Sequence, residues 1–212
     1  MEHDTRPAII FDFDGTIADS FPVALNIFHV LTRTSMVSDS DMKRLRGMTL
    51  IQIAKEFRIP LYSVPFLLFR GRAMMRKRMQ EVELIRGIEQ TIRDLSKTHK
   101  LFILSSNSSS NVRALLDRYE LAGNFIAIYG SVRLLGKAKK LAKIIRRFKL
   151  EQSTTWYVGD EVRDVDAAKQ AGINVAAVSW GYNNTEMLMR HQPTVLVGTV
   201  DELASCFINN NA

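Results

Sequence analysis

The chain opens with a short apolar run, Pro7-Ala8-Ile9-Ile10, and passes into alternating aromatic and acidic positions, Phe11-Asp12-Phe13-Asp14-Gly15. A run of this length bounded by a glycine reads as a buried strand followed by a sharp turn. From about residue 16 to 85 the spacing looks helical throughout. Val23, Ile27, Val30 and Leu31 recur on one face of a helix over 22–31, and Asp39-Ser40-Asp41 can cap a following one. Gly47 and Pro60 punctuate further short helices, and Pro65 stands near the start of a longer one over 65–82. From about residue 86 the pattern alternates. Helices are expected over 88–96, 111–119, 137–149, 162–171 and 200–207, and strands over 101–104, 125–129, 154–158, 174–178 and 195–197.

Strands that alternate with helices imply an α/β fold, a Rossmann-like parallel sheet covered by helices on both faces. The helical segment interrupts that alternation directly after the first strand. The expected division is a core of residues 1–15 and 86–212 with an inserted α-helical cap over 16–85. A cap at that point would lie over the C-terminal edge of the sheet, where it can exclude water.

That edge is where open α/β sheets place their chemistry. Asp12 and Asp14 emerge there two residues apart, so one carboxylate can attack, its neighbour can move a proton, and a hard cation can be held between them. An acidic turn is the plainer reading, because Asp and Gly are common turn residues. A calcium loop starting at Asp12 is excluded: it would need Gly at Ile17 and Glu at Val23.

Three later groups lie at the right places to complete such a site. Ser105-Ser106-Asn107 follows the strand over 101–104, where a hydroxyl and backbone amides can hold a phosphate oxygen, although serine-rich loops are common without a ligand. Lys137 opens the basic helix, with Lys139, Lys140 and Lys143 as rivals or plain surface lysines. The segment Gly130 to Lys137 fails as a P-loop, because five residues separate Gly130 from Gly136 and Ala138 stands where Ser or Thr is needed. Gly159-Asp160-Glu161-Val162-Arg163-Asp164 is again a strand end, then acids that open a helix, and Asp160 and Asp164 can face one site or simply favour the helix dipole.

Taken in order, these segments resemble the four motifs of the haloacid dehalogenase superfamily of phosphohydrolases. Asp12-Phe13-Asp14-Gly15-Thr16-Ile17-Ala18-Asp19-Ser20 is similar to the first motif. Ser105, Lys137 and Gly159-Asp160-Glu161-x-x-Asp164 match the other three. Asp166-Ala167-Ala168-Lys169-Gln170-Ala171-Gly172-Ile173, Trp180-Gly181-Tyr182 and Pro193-Thr194-Val195-Leu196-Val197 extend the likeness toward the phosphoglycolate-phosphatase-like branch, over nearly the whole chain. The resemblance implies Asp12 as nucleophile and Asp14 as acid and base. It implies Mg2+ held by Asp12, the Asp14 carbonyl and Asp160, and phosphate held by Ser105 or Ser106, Asn107 and Lys137. Asp164 would bind Lys137 or a metal-bound water, and Glu161 would support the metal. Arg46 falls where the family places a substrate-facing loop, although surface charge is the simpler account of it and of Arg70 and Arg72. Family members that cleave carbon–halogen bonds lack the second acid of the first motif, so Asp14 favours phosphoryl chemistry.

Composition narrows the picture further. At 212 residues, 46% hydrophobic and 24% charged, the chain suits a globular protein of one domain with an insertion, or of one larger and one smaller domain. No apolar stretch approaches the roughly 18 residues of a membrane span. The acidic, polar Met1-Glu2-His3-Asp4 shows no secretory signal, and the single Cys206 has no partner for a disulfide, so a cytoplasmic protein is expected. His3, His29, His99 and His191 are too scattered for a zinc site. The net charge of +7 is concentrated in residues 70–78 and 137–149. A solvated basic face explains it better than nucleic acid, since no aromatic ladder accompanies it. The expected partner is a small phosphorylated metabolite, with monomer and homodimer both open. A phosphomutase of the same superfamily is the nearest alternative. A nucleic-acid-end phosphatase and a non-catalytic binding protein are more distant ones.

Overall fold

The computed structural model describes residues 4–34, 44–133 and 136–208. Its centre is a six-stranded parallel sheet built from β1 (Ala8–Phe11), β4 (Lys100–Leu104), β5 (Ala127–Tyr129), β6 (Thr155–Gly159), β7 (Asn174–Val178) and β8 (Val195–Val197), in the order β5-β4-β1-β6-β7-β8. The first strand is therefore central, with Phe11 level with Ile103 on one side and Val158 on the other. Strand order reverses at β1, which opens a crevice at its C-terminal end.

Two cores follow from the two-residue period of a strand. Ile9 and Phe11 face one side, where they join Ile88, Ile92 and Leu95 of α4 (Ile88–Thr98), Val112 and Leu116 of α5 (Ser109–Arg118), and Leu203 of α9 (Val200–Ile208). Ala8 and Ile10 face the other, with Leu141 and Ile144 of α6 (Lys137–Phe148) and Val165 and Ala168 of α7 (Val162–Ala171). Burial on both faces is why these strands read as unbroken apolar runs rather than alternating ones.

Between β1 and β4 lie α1 (Phe21–Thr32), α2 (Leu50–Glu56) and α3 (Val64–Lys77). Helices α1 and α3 pack where a Cβ on Gly71 would stand 3.8 Å from Leu31 and 3.9 Å from Ile27. This segment is not helical throughout, contrary to the sequence pattern. A two-stranded antiparallel ribbon, β2 (Ala18–Asp19) and β3 (Glu83–Leu84), ties its two ends together. Strands of two residues carry no periodicity, so only their pairing defines them. The long helix also stops at Lys77, short of Val82, and a 3-10 turn over Met79–Glu81 follows it. The expected cap at Asp39-Ser40-Asp41 lies outside the described residues. A short helix, α8 (Thr185–Arg190), was not expected. Its signal was local, since the Asn184 side chain accepts from the Met187 N–H at 2.9 Å.

Candidate active site

Three strand ends deliver the acids and the hydroxyl. Asp12 follows β1, and its N–H donates to the Val158 carbonyl at 2.7 Å, which extends the ladder by one residue and fixes where the carboxylate leaves the sheet. Ser105 follows β4 and Asp160 follows β6. Asp12, Ser105, Lys137, Asp160 and Asp164 are all buried.

Lys137, the first residue of α6, is the hub. Its Nζ donates to Asp12 Oδ2 at 2.6 Å and to Asp164 Oδ1 at 2.5 Å, with every side chain in the group at most 3% exposed. Burial alone would pull the lysine down, but Asp12 and Asp164 hold it well above its ordinary range. Asp12 is pushed up to about 7 by burial, against the pull of Lys137. Asp160 also rises, through burial and then the charges of Glu161, Asp12 and Asp164. Its oxygens are fixed by neutral donors: Thr16 Oγ1 at 2.8 Å and the Tyr182 N–H at 2.7 Å. Gly15, with φ at 77°, brings the acidic loop so close that a Cβ there would stand 2.2 Å from Asp160 Oδ2.

Asp14 is half-buried, and removal from water raises it, opposed by hydrogen bonds from Ser20 and Asn107. The Asn107 contact, from Nδ2 to Asp14 Oδ1, is 3.3 Å. Ser105 Oγ accepts the Asn107 N–H at 2.9 Å, so the second loop folds back on itself beside the acids. Ser106 is the less buried neighbour in this loop. Glu161 pairs with Arg163, and its N–H donates to Asp164 Oδ2 at 3.1 Å.

Whether these residues suit a divalent cation can be judged from the donors. Asp12, Asp160 and Asp164 each offer one carboxylate oxygen, and the three oxygens lie within 4.8 Å of one another. Asp12 Oδ1 is buried with no hydrogen-bond partner, a costly condition that a cation would relieve. An all-oxygen, anionic set fits a hard ion such as Mg2+. Asp14 is not part of this side-chain cluster, so any share in holding a metal would fall to its main-chain carbonyl.

The sequence reading gave no role to several residues that shape the site. Thr16 and the Tyr182 main chain hold Asp160, and Tyr157 approaches Asp164 Oδ1 at 3.5 Å. Tyr182 also joins the insertion to the sheet, through its hydroxyl to Ser20 at 3.1 Å and edge-on ring contact with Phe21 at 5.1 Å. The Arg46 carbonyl accepts from the Asn184 N–H at 2.9 Å, and its guanidinium lies 4.5 Å over the Phe21 ring.

Residues 9–178 match the family model described as haloacid dehalogenase-like hydrolase. The chain belongs to that family. It is 32% identical over 200 residues to a phosphoglycolate phosphatase of Synechococcus elongatus, covering 92% of this chain and 94% of that one. It is 28% identical over 213 residues to the tyrosine-protein kinase PtkA of Mycobacterium tuberculosis, covering 92% of this chain and 70% of that protein. Among solved structures, a haloacid dehalogenase-like hydrolase from Streptococcus pneumoniae superposes with a TM-score of 0.78 at 21% identity, covering 96% of this chain and 99% of that one. Among the described residues, no helix is long and apolar enough to cross a membrane.

Proposed function

We propose that this hydrolase is a Mg2+-dependent phosphatase that releases phosphate from a small phosphorylated metabolite through an aspartyl-phosphate at Asp12. The observation that carries the reading is Asp12 itself: one oxygen on the Lys137 ammonium, the other buried without a partner, and Asp160 alongside. The name of the Synechococcus relative, a phosphoglycolate phosphatase, supports the same substrate class.

Asp12, the Asp14 carbonyl and Asp160 would hold Mg2+, which when bound neutralises phosphoryl oxygens and aligns the ester. The Asp12 carboxylate attacks phosphorus as the bond to the ester oxygen breaks. Asp14, which removal from water shifts toward its protonated form, gives a proton to the leaving oxygen. Asp14 then takes a proton from water as the water attacks phosphorus, the Asp12–phosphorus bond breaks, and phosphate leaves. Ser105, Ser106, Asn107 and the third N–H of Lys137 are assigned to phosphoryl oxygens, and Glu161 and Asp164 hold the surrounding charges in place. The segment over 16–85 is assigned as the cap that shields this exchange from bulk water.

The test is a panel of phosphorylated metabolites assayed for free phosphate, with Mg2+ and with EDTA, for wild type and Asp12→Asn. Metal-dependent release abolished by the substitution is the expected result. Undiminished release by Asp12→Asn would remove that residue as nucleophile. A phosphorylated isomer formed without free phosphate would instead indicate a mutase.

A further inference from the structure

Among the described residues, three buried side-chain polar atoms lack a hydrogen-bond partner: Asp12 Oδ1, Arg46 Nε and Arg163 Nε. Buried polar atoms in folded proteins are almost always paired, so each such atom calls for an explanation. For Asp12 the explanation is the proposed cation. Arg163 is the second residue of α7, two positions beyond Glu161, which it pairs with through its terminal nitrogen. The backbone before it is pinned, because the Val162 N–H donates to Asn183 Oδ1 at 2.9 Å. Its side chain is 27% exposed, so the guanidinium is largely enclosed while part of it still meets solvent.

Charge makes Arg163 more than a partner for Glu161. Asp12, Asp14, Asp160, Glu161 and Asp164 converge here against two cations, Lys137 and Arg163. Lys137 is sealed in, with two of its N–H groups already on Asp12 and Asp164. Arg163 directly precedes Asp164, whose Oδ1 shares the Lys137 ammonium with Asp12 Oδ2, so it stands one residue from the cluster that holds the nucleophile. The lysines further along α6 do not compete: Lys140 stacks 4.2 Å over the Tyr129 ring, and Lys139, Lys140 and Lys143 line a separate surface hollow.

We propose that the Arg163 guanidinium receives a non-bridging oxygen of the phosphoryl group held at Asp12, making it a phosphate-binding residue of this site. The proposal rests on the phosphatase reading. A guanidinium suits the role because its planar set of donors can keep one nitrogen on Glu161 and turn another to an oxyanion. Two cations then grip the phosphate, Lys137 buried and fixed, Arg163 less enclosed.

The probe is inorganic phosphate, titrated calorimetrically into the full-length chain in saturating Mg2+. Arg163→Gln is expected to weaken phosphate roughly 10- to 100-fold, the size of one hydrogen bond between charged groups. Arg163→Lys should recover part of that loss, with an unchanged melting temperature. Wild-type affinity in Arg163→Gln overturns the proposal. Should Arg163→Gln fail to fold, Arg163→Lys decides: a severalfold loss supports the contact and none refutes it. Phosphate affinity that depends on Arg163 in a protein that hydrolyses no monoester would sink the phosphatase reading alone. Active hydrolysis with affinity indifferent to Arg163 would sink this proposal alone.

Discussion

Replacing Lys137 by Met keeps the volume and removes the charge from the most enclosed ion cluster among the described residues. The lysine holds Asp12 at 2.6 Å and Asp164 at 2.5 Å, with side-chain exposures of 2%, 3% and 0%. Removing one partner from a buried ion pair costs about 3–5 kcal/mol, because the remaining charge is left without compensation. For a chain of this size each kcal/mol moves the melting temperature by about 2–4 °C, so the expected fall is roughly 6–20 °C. The measurement is thermal unfolding in EDTA at pH 8 and pH 5. Asp12 already sits at about 7 in the folded protein, against 3.8 for an ordinary aspartate, and losing Lys137 pushes it higher still. The folded state therefore keeps protons that the unfolded state has released over that interval, and stability falls as pH rises. The penalty should be larger at pH 8 than at pH 5, where the stranded Asp12 carboxylate can protonate. Adding Asp12→Asn to Lys137→Met should restore part of the loss at pH 8, since the two residues are in contact and their effects do not add. A Lys137→Met protein melting within about 1 °C of wild type at pH 8 would refute the reasoning, because a buried pair cannot be broken so cheaply. A penalty that grows toward pH 5 would refute it equally.

Mg2+ should raise the melting temperature of the wild type more at pH 8 than at pH 5.5, because Asp12 and Asp160, both raised, must lose their protons to ligate. Equal increments in differential scanning fluorimetry at the two pH values would contradict this. Gly181→Ala would place a Cβ 2.2 Å from Asp160 Oδ2 and 2.4 Å from its Cβ, so Asp160 must move. The expected result is a loss of about 1–3 kcal/mol in urea unfolding together with weakened Mg2+ binding, and unchanged Mg2+ affinity would show that Asp160 does not hold the ion.

The central strands were legible because they are buried on both faces and so appear as short, unbroken apolar runs: Ala8-Ile9-Ile10-Phe11, Leu101-Phe102-Ile103-Leu104 and Val175-Ala176-Ala177-Val178. What escaped was set by pairing rather than by pattern. The β2–β3 ribbon joins residues 18–19 to 83–84, and two-residue strands leave no period to read. Contacts of the site have the same character. Thr16 reaches Asp160 across 144 positions and Lys137 reaches Asp12 across 125, and nothing local distinguishes Lys137 from the lysines two and three residues beyond it.

The acids themselves were legible for an energetic reason. Asp12 and Asp160 stand directly after the strands β1 and β6, and the residues on either side of Asp12 carry no basic side chain to pair with it. A carboxylate forced under cover by the strand it follows must meet its counter-charge in space, or it destabilises the fold by several kcal/mol. A chain that carries such acids at two adjacent strand ends therefore implies both a buried cation and a ligand able to use the remaining oxygen. Lys137 meets the first requirement, and Asp12 Oδ1, buried without a hydrogen-bond partner, is where the second would act.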